Sequence, residues 1–162
     1  MVQTRLATTA LAVLRAALGH DIERISDEAA AVLTEHVEDD LITATQLTFL
    51  GKGWTVGLAH EAALKLREAS RSWTESYRAM EYRHGPIAMA EPGRVVWMFG
   101  EPPPGLPQEV TATGARFVHD PQVDPMVDLV RAQRVAVARA LEHGLDPDRP
   151  RNLNRSVILQ GA

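Results

Sequence analysis

The chain has 162 residues, of which 45% are hydrophobic and 23% are charged, as is usual for a globular domain with a sizeable core. The formal net charge of -4 provides no basic surface, which argues against nucleic acid as a partner. The absence of cysteine excludes disulfides and thiolate chemistry, and we expect a cytoplasmic protein.

The first 40 residues predict two helices. Apolar residues recur at helical spacing over residues 4–18, and the run stops at Gly19. A second helix is predicted over residues 21–37, followed by a solvated acidic patch at residues 38–40. A signal peptide is the alternative for the first segment, but Arg15 interrupts it, and no stretch reaches the ~20 apolar residues that span a bilayer. We therefore expect no membrane contact.

Strands alternate with helices from residue 46 onward. The predicted strands cover residues 46–50, 73–77, 94–99 and 115–118. The predicted helices cover residues 55–70, 107–114 and 123–143, and a loop-like tail follows. The alternation predicts an α/β fold, a three-layer α/β/α sandwich with a mainly parallel, doubly wound sheet. We expect the N-terminal helices to occupy residues 1–40 and the main domain residues 41–162.

The segment Gly51-Lys52-Gly53 follows the first predicted strand directly. Ligands of open α/β sheets bind outside the carboxyl ends of the strands, and a helix N-terminus there favours an anion. A dinucleotide fingerprint would need a third glycine one residue before Gly57. A ligand-free tight turn therefore remains an equal alternative.

The helix over residues 55–70 carries Lys65 and Glu68 on one face, because they are three residues apart. A surface ion pair is the simple explanation. The small and apolar residues around them indicate a largely buried helix instead, and a carboxylate at a buried edge can move protons at neutral pH. His60 and Glu61 do not form a zinc motif, since position 64 is leucine, and we expect no metal.

His84 lies between Arg83 and a Gly-Pro turn. A histidine on a tight turn is held in place, and its usual pKa suits acid or base chemistry. Capping of a helix is the structural alternative. Arg83 could hold an anionic ligand.

Three blocks carry a family resemblance: FLGKGWTVGLAHEAALKLREAS, ESYRAMEYRHGPIAM and LEHGLDPDRPRNLNRSVIL. They resemble the second half of a sugar isomerase (SIS) domain pair. Such a pair forms the isomerase domain of glutamine:fructose-6-phosphate aminotransferase, and related pairs form amino-sugar-phosphate deaminases and fructosamine-phosphate deglycases. The resemblance implies a sugar-phosphate ligand, no cofactor, and a homo-oligomer or a partner first-half SIS domain.

The resemblance also implies roles for single residues. Glu68 matches the base that moves a proton between C1 and C2, and Lys65 matches the lysine beside it. His84 matches the histidine that opens the sugar ring, usually from a neighbouring subunit. The positions expected to bind substrate are Gln3, Thr4, Gly51, Gly53, Arg83 and Arg155.

Two departures from the family pattern are visible. The serine- and threonine-rich phosphate turn, S-x-S-G-x-T, does not occur in these 162 residues. Arg155 stands where the aminotransferases have an imine-forming lysine, and arginine cannot form that imine. We therefore expect a sugar-phosphate isomerase, deaminase or deglycase domain that is incomplete without a first half. The alternatives are a non-catalytic sugar-phosphate-binding or assembly module and a half-domain without a ligand.

Overall fold

A computed structural model describes residues 5–151. Its α-helices are α1 (Arg5–Ala17), α2 (Ile22–Val32), α3 (Asp39–Thr43), α4 (Val56–Ser70), α5 (Ala79–Tyr82), α6 (Leu106–Ala112) and α7 (Pro125–Glu142). Its strands are β1 (Gln46–Gly51), β2 (Thr74–Arg78), β3 (Arg94–Phe99) and β4 (Arg116–Val118). Short 3-10 turns lie at Gly53–Thr55 and Pro86–Met89.

The four strands form one sheet in the order β2-β1-β3-β4, and every pairing is parallel. The chain moves from β1 to β2 in one direction and from β3 to β4 in the other. The topological switch point therefore lies between β1 and β3, beyond their carboxyl ends. The predicted α/β class, with a doubly wound parallel sheet, is confirmed.

Helices cover both faces of the sheet, which explains why β1 is buried along its whole length. One face packs against α3, α4 and α7, around the aromatic cluster of Phe49, Trp97 and Phe99. The other face packs against α5 and α6 through residues such as Leu50 and Met98. Because helices cover both faces of the sheet, the domain is a three-layer α/β/α sandwich, as predicted.

The N-terminal helices lie against α7. Ile25 and Val32 of α2 are buried against Met126 and Val127. Arg15 of α1 donates to both carboxylate oxygens of Asp124, each at 2.7 Å. This buried, bidentate pair fixes α1 to the residue that caps α7.

Local structure differs from the prediction at two points in the N-terminal part. The helix predicted to reach residue 37 ends at Val32. The acidic patch contains a further helix, α3, whose first turn holds Asp39 and Asp40. Carboxylates stabilise a helix N-terminus, so the acidic run marks a helix start as well as a solvated surface. Within residues 5–151, no helix combines the length and apolarity needed to cross a membrane.

Candidate functional site

A partly buried cluster of three charges lies on α4. Lys65 donates from Nζ to Oε2 of Glu68 at 2.7 Å, and its Nζ is 3.7 Å from Oε1 of Glu61. The Lys65 side chain is 6% exposed, and those of Glu61 and Glu68 are 18% and 19% exposed. Lys65 and Glu68 thus form a partly buried pair and not the surface pair considered above.

Helical spacing places these three side chains together, because residues 61, 65 and 68 fall on one face of α4. The ammonium group of Lys65 interacts more closely with Glu68 than with Glu61. Glu68 receives the hydrogen bond, whereas Oε1 of Glu61 is buried and has no hydrogen-bond partner. Burial raises the pKa of Glu61, and the positive charge of Lys65 opposes that rise. The Glu61 carboxylate therefore binds a proton more readily than an ordinary glutamate does.

Sequence reasoning missed Glu61, although a signal was present. We considered Glu61 only as part of a zinc motif and rejected that motif. The spacing Glu-x3-Lys-x2-Glu would have identified it as the third member of the face that carries Lys65 and Glu68.

A cleft of about 570 Å³ opens beside this cluster, between α4, α7 and the end of α2. Lys65 and Ala69 line its α4 side. The other side is largely apolar and includes Leu33, Val137 and Leu141, which are 61%, 44% and 64% exposed. Lys65 thus borders a groove whose lining is largely apolar.

Gly51 and Gly53 lie at the carboxyl end of β1, and local packing accounts for both. A Cβ atom on Gly51 would be 2.4 Å from the carbonyl oxygen of Thr55, so only glycine fits there. Gly53 has a φ of +59°, in the left-handed region. The Thr55 hydroxyl accepts from the Lys52 amide at 2.9 Å and donates to the Phe99 carbonyl at 2.8 Å, which ties the loop after β1 to the end of β3.

Arg83 and His84 follow α5, near the carboxyl end of β2. The guanidinium of Arg83 is bound to the Glu109 carboxylate through two nitrogens, one bond being 2.8 Å from Nε to Oε2. His84 is exposed, and its backbone amide donates to the Glu81 carbonyl at 3.1 Å. Arg83 is therefore already paired, whereas the imidazole of His84 faces solvent.

The expected site residues lie at two edges of the sheet. Gly51, Gly53 and His84 lie at the carboxyl edge. Lys65 and Glu68 lie toward the amino edge, because α4 runs back along the sheet between two parallel strands. The neighbouring Arg67 donates to the carbonyl of Thr74, the first residue of β2, at 3.2 Å. A single chain therefore does not bring His84 to Glu68.

Three expected substrate-binding residues, Gln3, Thr4 and Arg155, lie outside the described residues. Across residues 5–151, no three His, Asp or Glu side chains are grouped in a way that could hold a metal ion.

Comparison with curated proteins gives one consistent class of relatives. The chain is 32% identical to the glutamine--fructose-6-phosphate aminotransferase of Pyrobaculum aerophilum, over 96% of this chain and 32% of that protein. The corresponding enzyme of Corynebacterium diphtheriae is also 32% identical, over 91% of this chain and 29% of its own length. The chain thus spans about a third of these relatives. No protein-family model matches it.

Solved structures agree with this assignment. Glucosamine-6-phosphate deaminase from Thermotoga maritima superposes with a TM-score of 0.67 at 27% identity, over 87% of this chain and 48% of that one. The C-terminal domain of glucosamine-fructose-6-phosphate aminotransferase from Francisella tularensis gives a TM-score of 0.63 at 24% identity, over 79% of this chain and 45% of that one. The chain belongs to the sugar isomerase (SIS) domain family, and it is similar to the C-terminal half of the isomerase domain of these aminotransferases.

Proposed function

We propose that the chain is the proton-transfer half of a sugar-phosphate isomerase, deaminase or deglycase. The observation that carries the proposal is the Glu61–Lys65–Glu68 cluster, a partly buried set of two carboxylates and one ammonium, of which Lys65 lines an open cleft. The curated relatives are aminotransferases named for fructose 6-phosphate, and one solved relative is named for glucosamine 6-phosphate. The substrate class proposed here is therefore a hexose phosphate or its amino form.

In the proposed reaction, Glu68 removes a proton from the carbon next to the carbonyl of the open-chain sugar. The bonding electrons form the C1–C2 double bond of an enediol or enediolamine, and the carbonyl oxygen takes up a proton. Glu68 then returns the proton to the former carbonyl carbon, and the hydroxyl or amino group on the carbon that was first deprotonated loses a proton to become the new carbonyl or imine. Lys65 holds the Glu68 carboxylate at 2.7 Å, and its charge stabilises the negative charge that develops on the sugar oxygen. The raised pKa of Glu61 makes this carboxyl group a candidate acid beside the base.

We further propose that two partners complete the site. A first-half SIS domain would cover the apolar cleft between α4 and α7 and supply the phosphate turn. A second copy of the chain would supply His84, because Glu68 and His84 lie near opposite edges of the sheet. Phosphate contacts provide much of the binding energy that holds a small sugar against its base. We therefore expect the 162-residue chain alone to bind hexose phosphates weakly, at about millimolar Kd, and to show no measurable turnover.

The test combines the purified chain with a separately produced first half of a relative's isomerase domain. Exchange of the C1 or C2 hydrogen of fructose 6-phosphate and glucosamine 6-phosphate with deuterated water reports the proton transfer directly. Glu68→Gln should reduce this exchange by on the order of a hundredfold or more, since the amide cannot accept the proton. Glu23→Gln, an exposed change on α2, is the matched control.

Mixing the two inactive variants Glu68→Gln and His84→Asn tests the shared site. Partial recovery of exchange is expected, because a hybrid assembly contains one site with both wild-type residues. Exchange that survives Glu68→Gln would remove Glu68 from the mechanism. Efficient turnover by the chain alone would contradict the need for a first half.

The second candidate is a non-catalytic sugar-phosphate-binding or assembly module. It is favoured by Arg155, which stands where the aminotransferases have their imine-forming lysine. Saturable binding of glucosamine 6-phosphate to the combined domains, without any exchange, would select this function.

A further inference from the structure

A second cavity, of about 350 Å³, lies on the α7 face of the sheet beside the edge strand β4. Its walls come from the α2–α3 connection, from β4 and the residues after it, and from the first half of α7. Trp97 and Asp128 line its inner end and are only 2% and 5% exposed. Neither Lys65 nor Glu68 lines this cavity, although Val37 and Arg134 border both this cavity and the cleft beside the α4 cluster.

Two arginines at the cavity are each bound to two carboxylates. Arg131 pairs with Glu35 and Asp120, each at 3.1 Å. Arg116 pairs with Glu38 at 2.7 Å and also binds Asp40. These pairs lie at the rim, where two guanidinium groups are bound to four carboxylates and leave a net negative charge.

Two ionic groups of the cavity have no ion-pair partner within residues 5–151. Asp128 accepts a hydrogen bond from Nε1 of Trp97 at 2.8 Å, through Oδ2. Arg134 donates to the backbone carbonyl of Glu35. An ionised carboxylate at 5% exposure with an indole N–H as its bonded neighbour lacks the positive partner that buried carboxylates normally have.

Asp128 and Arg134, which have no ion-pair partner among residues 5–151, indicate the chemistry of the ligand. A primary ammonium has three N–H donors and a full charge, and it fits a carboxylate that has a single donor. The guanidinium of Arg134 suits a carboxylate or a phosphate. The volume is at the lower end of the range for small-molecule sites. We propose that this cavity binds a small zwitterion, with its ammonium group on Asp128 and its anionic group on Arg134. The proposal does not rest on the function proposed above.

Amino-sugar phosphates and free amino acids share this chemistry, and the experiment distinguishes them. The probes are glucosamine 6-phosphate and L-glutamine, and the matched compounds without an ammonium group are glucose 6-phosphate and glutarate. The readout is the indole N–H signal of Trp97 in ¹⁵N-labelled protein, assigned with Trp97→Phe. We expect one ammonium probe to shift this signal saturably with about millimolar Kd, and its matched compound to leave it unchanged.

Variants test the two contacts separately. Asp128→Asn keeps an acceptor for the Trp97 N–H but removes the charge, and it should weaken binding at least tenfold. Asp27→Asn removes one exposed charge outside both cavities and should leave binding unchanged. Arg134→Gln should also weaken binding about tenfold, while Arg24→Gln on the exposed side of α2 should not.

Three outcomes would overturn the proposal. The first is a Trp97 signal that does not respond to either ammonium probe. The second is an equal response to glucosamine 6-phosphate and glucose 6-phosphate, or to glutamine and glutarate. The third is unchanged affinity in Asp128→Asn. Melting curves of Asp128→Asn and Arg134→Gln confirm that each variant is folded before its affinity is interpreted.

Discussion

Replacement of Asp128 by asparagine is expected to stabilise the chain at neutral and alkaline pH. The carboxyl group is buried, and Trp97 donates its hydrogen bond at 2.8 Å. Burial raises the pKa of Asp128 from 3.8 to about 6, while the Trp97 hydrogen bond and the charge of Arg131 partly oppose this rise. Asparagine is nearly isosteric, and its amide oxygen can still accept from Trp97.

The size of the effect follows from the pKa difference between the folded and unfolded states. Below pH 3.8 both states hold the proton, so Asp128 does not disfavour folding. As the pH rises from 3.8 to about 6, the unfolded chain releases the proton first, and stability is lost progressively. Above that range the loss is complete and amounts to about 3 kcal/mol, which corresponds to ~6–12 °C in Tm for a chain of this size.

The assay is urea unfolding of the wild type, Asp128→Asn and Asp27→Asn from pH 4 to pH 8. The difference between wild type and Asp128→Asn should be small at pH 4 and should grow to about 3 kcal/mol in favour of the variant at pH 8. The other charged and titratable groups that line the cavity are Glu35, His36, Glu38, Arg116, His119, Asp120, Arg131 and Arg134. Since both proteins contain these groups, the difference isolates Asp128. A difference that does not change with pH, or that favours the wild type at pH 8, would refute the reasoning.

Two further predictions concern groups that fix the backbone. Arg139→Met should lower the free energy of unfolding in urea by about 3–5 kcal/mol, because the guanidinium donates to three backbone carbonyls at the α3–β1 connection, and these would lose their partner. The surface change Arg24→Met should lower it by less than ~1 kcal/mol. Gly51→Ala should lower the free energy of unfolding by at least ~2 kcal/mol, since its Cβ would be 2.4 Å from the Thr55 carbonyl oxygen. In Gly57→Ala the new Cβ would have no atom within 4 Å, so this change should be neutral or stabilising. An equal effect in the two members of either pair would contradict these explanations.

The sheet could be predicted from the sequence because its signals are local. The buried strand β3 is a largely apolar run of six residues, and Gly51 ends β1 where the backbone must turn. The helices α4 and α7, of 15 and 18 residues, are long enough to show a periodic apolar face. These features depend on neighbours in sequence, which is why their order and type could be inferred.

The short elements could not be predicted in this way. Helices α3 and α5 have five and four residues, which is too few for a helical period to be recognised. Their place is set by contacts that are distant in sequence. Arg139 of α7 binds the carbonyls at the end of α3, nearly 100 residues earlier.

The same distinction applies to the candidate site: contacts between residues close in sequence could be predicted, and contacts between distant residues could not. Lys65 and Glu68 could be paired from their helical spacing, since both lie on α4. The state of Arg83 could not be inferred, because its partner Glu109 is 26 residues away, on α6. The relation between Glu68 and His84 depends on the direction of α4 relative to the sheet, which only the fold reveals.

The carboxylates of Glu68 and Asp128 differ in whether the chain itself supplies a positive partner. Lys65 neutralises Glu68 through a hydrogen bond on the same helix, so this pair is held without any ligand. Asp128 has an indole N–H, and the nearest guanidinium on its helix, that of Arg131, is already paired with Glu35 and Asp120. Asp128 therefore destabilises the folded chain at neutral pH, and a cation bound at that position would remove the penalty. Local conflicts of this kind concentrate at functional sites, where a ligand supplies the missing group. The charge balance thus distinguishes the two sites: Glu68 has its counter-ion on the same helix, whereas a bound cation would have to supply one for Asp128.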